Sequence, residues 1–188
     1  GGFLFSKARI DASIATDQLG AGQRIDSEDV NKYPYFCCEI GGGMITSYHR
    51  RIRINPKDIE STALLKIGSG NNLQGFYMYH GGTNPAGKLT TLQESQATNY
   101  WNDMPVKSYE FQAPLGEFGQ INPHYHSLRL QHLFFRDAGQ FLANATTYLP
   151  EKQPVNSKDN ETLRWSVRTD GTSGLIFVNN YQRLQKMP

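Results

Sequence analysis

Two apolar runs that each stop in glycines, with one well-punctuated helix between them, constrain this chain's fold more than any other feature. The first run, YPYFCCEIGGG, spans Tyr33 to Gly43. Its Tyr33–Ile40 part is short, rich in Tyr, Phe, Cys and Ile, and reads as a buried strand closed by three glycines. In NPKDIESTALLKIGSG, Asn55 is a cap, Pro56 takes the first helical position, and Asp58 and Glu60 favour the positive end of the helix dipole. Ile59, Ala63, Leu64 and Ile67 make one apolar face, and Gly68 or Gly70 ends the helix. The second run, LQGFYMYHGGTN (Leu73 to Asn84), reads as another strand. Strand, helix, strand is the rhythm of a βαβ unit with parallel strands. Both strands deliver glycines and polar groups at their C-terminal ends, which in a (β/α)8 barrel is the catalytic face.

The remainder is organised around this unit. GGFLFSKARIDASI reads as strand or short helix, and DQLGAGQRIDSED (17–29) as a loop. Residues 85–105 read as a long loop, a length found on functional faces and equally as a plain surface excursion. YEFQAPLGEFG (109–119) precedes a second helix started by Asn122 and Pro123, with Leu128, Leu130, Leu133 and Phe134 as apolar surface and Gly139 as its stop. LPEKQPVNSKDNE is a polar linker, and TLRWSVRTDGTSGLIFVNNYQ alternates around Asp170-Gly171 as a β-hairpin. The expected organisation is a barrel-like part over 1–148, a linker over 149–161, and the start of a β-rich domain over 162–188.

Composition removes several classes of function. Of the 188 residues, 19 are Lys or Arg and 17 Asp or Glu. That near-balance argues against a polybasic nucleic-acid or membrane-surface protein. No apolar run approaches the roughly 18 residues of a membrane span. The two cysteines, Cys37 and Cys38, are adjacent, so they form no disulfide framework and offer no CxxC zinc spacing. Phosphate-loop, dinucleotide and GxSxG patterns are absent. The 12% aromatic content suits a carbohydrate-handling surface, although filling a core is the preferred reading.

Which residues carry chemistry? Glu39 is the best-placed carboxylate, because an apolar strand delivers it next to glycines that admit a ligand; a plain surface carboxylate is the competing reading. Glu117, in a turn before a helix, suits a structural hydrogen-bonding role. His80 and Asn84 flank Gly81-Gly82-Thr83 at a strand end and are candidates to line a site, with a satisfied core histidine as the alternative for His80. His124 and His126 are two apart on a helix and share no face, which argues against a metal pair. His49-Arg50-Arg51 reads as solvated surface in preference to an anion site.

These residues resemble a known family. YMYHGGTNP (77–85) is similar to the eighth-strand signature of glycoside hydrolase family 35 β-galactosidases, commonly YMFHGGTNFG. YEFQAPLGEFG is similar to the next block, commonly YDYDAPLDEYG. CCEIGGGM falls where that family carries its seventh-strand nucleophile. The resemblance covers roughly 33–135. It implies the C-terminal portion of a (β/α)8 TIM barrel, an α/β fold, followed by a β-hairpin segment. It further implies that Glu39 is the nucleophile of a retaining glycosidase and that Tyr77 and Phe111 line the sugar pocket. No metal or organic cofactor is implied, and the substrate is a β-galactoside or related sugar. Met44 stands where many relatives place Trp, Phe111 lacks a hydroxyl, and Gln112 replaces an Asp; these departures bear on sugar specificity. In this reading the strand fixes Glu39 at the barrel mouth and the glycines leave room for a sugar ring. The family's acid/base glutamate belongs to a strand-four motif that does not occur here, so the chain is expected to be a fragment of a larger enzyme. Family analogy gives a secreted or periplasmic location. The rival reading is a non-catalytic carbohydrate-binding or interaction module derived from the family.

Overall fold

The computed structural model describes residues 3–9, 32–46, 51–88 and 107–188. The expected loop at 17–29, His49 and Arg50, and most of the 85–105 loop lie outside the described residues. Residues 3–9 form neither strand nor helix.

The central order is strand, helix, strand: β1 (Tyr35–Gly41), α1 (Pro56–Gly68) and β2 (Asn71–Tyr77). β1 and β2 are hydrogen-bonded neighbours. Asn71 Nδ2 donates to the Tyr35 carbonyl at 2.9 Å. At the other end Gly42 N donates to the Tyr77 carbonyl at 2.9 Å. Start lies beside start and end beside end, the parallel sense that a helical connection requires. The α1 punctuation works as read: Asn55 Oδ1 accepts from Lys57 N at 3.0 Å, and the Asn55 carbonyl accepts from Asp58 N at 2.9 Å. Its buried stripe is Ile59, Ala63 and Ile67, joined by Leu65 in place of the half-buried Leu64.

Three expectations need correction. β1 is not a buried strand: Ile40 alone in it is buried, while Phe36, Cys38 and Glu39 are exposed. Among the described residues β1 has one strand neighbour, β2, so its apolar composition is not matched by cover. The second strand ends at Tyr77, not Asn84. The Tyr79 carbonyl and Gly81 N bond Leu115 instead, and Gly82–Thr83 forms a separate short strand, β3. The second helix, α2 (Pro123–Asn144), runs through Gly139. A single glycine costs a helix only about 1 kcal/mol, and Gly139 does not adopt the left-handed conformation of a helix stop. Leu128 is buried but Leu130 is 69% exposed, because it lies off the inward stripe that runs from Leu128 to Leu142.

The chain divides into two compact units. One comprises Cys38–Ala63 and Gly75–Phe134. Its core is Ile59, Ala63 and Leu128, with Ile54, Phe76 and Tyr79 packed against it. Gln131 Nε2 donates to the Glu60 carbonyl at 3.0 Å, tying its helices.

The other unit comprises Gly1–Cys37, Leu64–Gln74 and Phe135–Pro188. It holds an antiparallel sheet of β5 (Thr146–Tyr148), β6 (Trp165–Thr169) and β7 (Gly174–Val178) in the order β5-β6-β7. The hairpin is present, with Trp165 opposite Val178 and Thr169 opposite Gly174. Its turn is held by Asp170 Oδ1, which accepts from Thr172 N at 2.9 Å and Ser173 N at 2.8 Å. Gly171 supplies the positive φ of 98°. The inward residues of β6 are Ser166 and Arg168, with Arg164 just before it. Arg168 donates to the carbonyls of Ile67 at 3.3 Å and Asn71 at 3.0 Å. It also donates to Asn72 Oδ1 at 2.7 Å and to the Leu142 carbonyl. Ile67 and Leu142 lie in the last turns of α1 and α2. Among the described residues the buried cation thus faces two negative helix ends and has no carboxylate among its hydrogen-bond partners. Burial lowers the Arg168 pKa to about 10, and the neighbouring Arg9 charge acts in the same direction.

Candidate active site

The two motifs singled out in the sequence are tied together strand to strand. β3 (Gly82–Thr83) pairs antiparallel with β4 (Ser108–Tyr109), setting Gly82 opposite Tyr109 and Thr83 opposite Ser108. Gly81 N donates to the Leu115 carbonyl at 2.7 Å and Leu115 N to the Tyr79 carbonyl at 3.0 Å. Glu117 completes the join, accepting from Ser108 Oγ at 2.7 Å and from the Thr83 hydroxyl. Those two hydroxyls hold the Glu117 carboxyl below its ordinary pKa. Glu110 secures the 110–120 turn, accepting from Glu117 N and from Gln120 Nε2 at 3.0 Å.

This pairing assembles an aromatic cluster. Tyr77, at the end of β2, meets Phe111 edge-on with ring centroids 5.5 Å apart. Tyr109 lies 4.6 Å from Phe111 and 6.4 Å from Tyr77. The Tyr77 and Tyr109 hydroxyls share a hydrogen bond. Tyr77 remains 39% exposed, so the cluster presents ring edges and hydroxyls to solvent. Phe111 and Gln112 both hold a left-handed backbone, with φ of 55° and 50°. Such non-glycine conformations cost on the order of 1–3 kcal/mol and persist only where the surroundings enforce them.

The glycines after Glu39 have a different use from the one expected. A Cβ on Gly42 would lie 1.9 Å from the Met78 carbonyl oxygen. On Gly43 it would lie 2.0 Å from the Phe111 carbonyl oxygen. Gly42 and Gly43 therefore allow backbone to pack on backbone, and they lock the end of β1 to the segments carrying Tyr77 and Phe111. The space they occupy is filled by protein, not left for a sugar.

Glu39 lies three residues before this lock, exposed on β1, and its side chain makes no hydrogen bond or ion pair among the described residues. Met44 is 43% exposed just beyond it. Tyr77 and Phe111 are in the cluster. His80 is exposed, with its ring donating to the Gly81 carbonyl, and it bridges to Leu115. Asn84 is half-buried, and its backbone N donates to the Lys107 carbonyl at 2.7 Å. A cleft lined by Ile45, Thr46, Ser108, Glu110, Phe111 and Gln112 opens beside the cluster. Polar side chains beside an aromatic ring line this hollow, the usual makeup of a small-molecule site.

Sequence reasoning passed over Tyr109 and the structural part of Gln112. Tyr109 had a signal: it is two residues before Phe111 in the same motif. His124, on the first turn of α2, is only 3% exposed. Neither of its ring nitrogens makes a hydrogen bond of good geometry, although the Gln112 and Gly42 carbonyls face the ring. Burial lowers its pKa, which keeps it neutral. No group of three or more His, Cys, Asp or Glu among the described residues is arranged to hold a metal ion. No helix among them is long and apolar enough to cross a membrane.

Residues 6–134 match the family model described as glycosyl hydrolases family 35, a span of more than half the chain. The chain belongs to that family. Glycosyl hydrolase family 35 membership makes this a glycoside hydrolase sequence with carbohydrate as its substrate class, and it implies a TIM-barrel catalytic domain. The family 35 match takes in β1, α1, β2, the aromatic cluster and the first half of α2.

Proposed function

We propose that this chain is part of a retaining glycosidase that removes terminal β-linked galactose or a related sugar. The observation that carries the proposal is the family 35 match across the segment where Glu39, at the end of β1, is locked by Gly42 and Gly43 to the segments that carry Tyr77 and Phe111. In this reading β1 and β2 are the last two strands of a (β/α)8 barrel. Residues 1–148 belong to that barrel, 149–161 link, and 162–188 open a β-rich domain. The Glu39 carboxylate attacks the anomeric carbon and forms a glycosyl-enzyme, while a second carboxylic acid protonates the departing glycosidic oxygen. That second group, which no motif of residues 1–188 supplies, then takes a proton from water as water releases the sugar. The two carboxyls of a retaining pair stand about 5–5.5 Å apart. Tyr77 and Phe111 wall the sugar, and Met44, His80 and Asn84 complete its surroundings. Neither metal nor organic cofactor takes part. A secreted or periplasmic location accords with degradation of external polysaccharide.

Without the second carboxylate, residues 1–188 alone should show negligible turnover; measurable β-galactosidase activity from them would contradict the mechanism. In the full-length protein Glu39→Gln should abolish hydrolysis of an aryl β-galactoside while leaving sugar binding nearly unchanged. Retained hydrolysis would remove Glu39 from its role. Sugar binding by a wild-type protein that shows no hydrolysis would favour the non-catalytic module instead.

A further inference from the structure

Gln112 stands where relatives commonly carry Asp, and its side chain does something no carboxylate can. Its Nε2 donates to the Ile52 carbonyl at 2.7 Å, to the Met44 carbonyl at 3.1 Å, and to Thr46 Oγ1 at 3.4 Å. Its Oε1 accepts from Ile54 N at 3.1 Å. Met44 and Thr46 belong to one limb, residues 44–46, and Ile52 and Ile54 to another, residues 51–54. One carboxamide therefore joins both limbs. An ionised carboxylate could still accept from Ile54 N, but it has no proton for the two carbonyls and would face them as a like charge.

The group that makes this join is itself held firmly. Its backbone sits in the left-handed region. A Cβ on Gly43 would collide with the Gln112 carbonyl, at 2.8 Å. The buried His124 ring faces that carbonyl. Ile45 and Thr46, on the first limb, are one wall of the cleft whose other residues are Ser108, Glu110, Phe111 and Gln112 itself. Glu39 lies on β1, which is held by its pairing with β2 and by the bond from Gly42 N to the Tyr77 carbonyl.

We propose that Gln112 is a positioning residue of this site: its carboxamide staples residues 44–46 to residues 52–54 and so fixes the Ile45–Thr46 wall of a cleft that takes sugar against Phe111. The cleft's ligand rests on the glycosidase reading given above; the staple does not. Loosening the staple moves the wall and leaves the nucleophile in place, so it acts on substrate binding before it acts on chemistry.

The test uses the full-length protein with Gln112→Met, which keeps volume and loses all four bonds, and Gln112→Glu, which loses only the donors. Arg51 and Arg53 are exposed on the second limb, so limited trypsin digestion read by mass spectrometry reports the state of that limb. Cleavage there should be about tenfold faster in both variants. With an aryl β-galactoside, KM should rise roughly tenfold and kcat should stay within about threefold. Unchanged cleavage in both variants would overturn the staple, and a fall in kcat at constant KM would overturn its assignment to binding. If Gln112→Glu does not fold, Gln112→Met carries both measurements. If the wild-type protein hydrolyses no β-galactoside, the glycosidase reading fails and digestion alone decides the staple.

Discussion

Gly42→Ala is the sharpest probe of how the site is assembled. The added Cβ would sit 1.9 Å from the Met78 carbonyl oxygen and 2.8 Å from its carbon, whereas ordinary contact begins at 3.4 Å. Backbone on one side or the other must retreat by about 1.5 Å, because no flexible side chain is there to yield. A shift of that size also breaks the 2.9 Å bond from Gly42 N to the Tyr77 carbonyl. Overpacking costs about 1–3 kcal/mol, and the lost hydrogen bond adds about 1 kcal/mol. The expected destabilisation is about 2–4 kcal/mol, a large share of the roughly 5–15 kcal/mol typical of a folded protein. Gly43→Ala should behave alike, since its Cβ would meet the Phe111 carbonyl oxygen at 2.0 Å. The controls are Gly41→Ala, whose nearest neighbour is 3.7 Å away, and Gly82→Ala, which meets nothing within 4 Å. Both should stay within about 0.5 kcal/mol of wild type. Urea unfolding followed by fluorescence should place the Gly42→Ala midpoint about 1 M lower at an unchanged slope. A Gly42→Ala midpoint equal to that of the Gly41→Ala control would refute the lock between β1 and the Met78 backbone.

Three further outcomes follow from the same contacts. Arg168→Met strands the buried carbonyls of Ile67, Asn71 and Leu142, and it should cost about 3 kcal/mol in thermal or urea unfolding; an unchanged melting temperature would show that those groups do not depend on the guanidinium. Asp159 is held to about 2, first by the Thr162 backbone N–H and then by the Thr162 side chain, with further help from the Glu161 and Val155 N–H groups. Its folded pKa is depressed, so its contribution to stability is present above the ordinary value of 3.8 and is lost as pH falls toward 2. An NMR titration should find that midpoint, and Thr162→Ala should raise it; a midpoint at the ordinary value would contradict the turn. For Glu117, Thr83→Val combined with Ser108→Ala should move the carboxyl titration upward, because the two hydroxyls that hold it down are gone. No movement would mean that the β3–β4 join does not engage the carboxylate.

Local signals carried the elements well. Asn55-Pro56 gave the start of α1, and Asp170-Gly171 gave the hairpin, because capping and turn formation depend on neighbours in the chain. Burial was harder to read. The YFCCEI composition announces a strand, but cover depends on what packs over it, and β1 is largely exposed here. In β6 the alternation was legible while its sense was not. Ser166 and Arg168 face inward because carbonyls at the ends of two helices need donors, and no pattern within β6 records where those helices end. The site shows the same division. Glu39, Tyr77 and Phe111 were named from a motif, and the ring contact of Tyr77 with Phe111 is present. Tyr109 and the staple made by Gln112 were not, because they depend on β3 pairing with β4 and on a carboxamide reaching residues 58 to 68 positions earlier in the chain. The glycines illustrate the limit best. A run of three reads as permissive backbone, and only the fold shows which of them are pressed against a carbonyl.

The central claim is that Glu39 forms the covalent bond to sugar, and it can be tested at that atom. The full-length protein would be incubated with an activated 2-deoxy-2-fluoro-β-galactoside, which allows the glycosyl-enzyme to form and slows its hydrolysis, and then digested with trypsin. Cleavage after Lys32 and Arg50 gives the peptide Tyr33–Arg50, which contains one carboxylate side chain, Glu39. The account predicts that this peptide gains the mass of one fluorogalactosyl group, that fragmentation assigns it to Glu39, and that Glu39→Gln takes up none. A label on another carboxylate, with Tyr33–Arg50 unmodified, would contradict it.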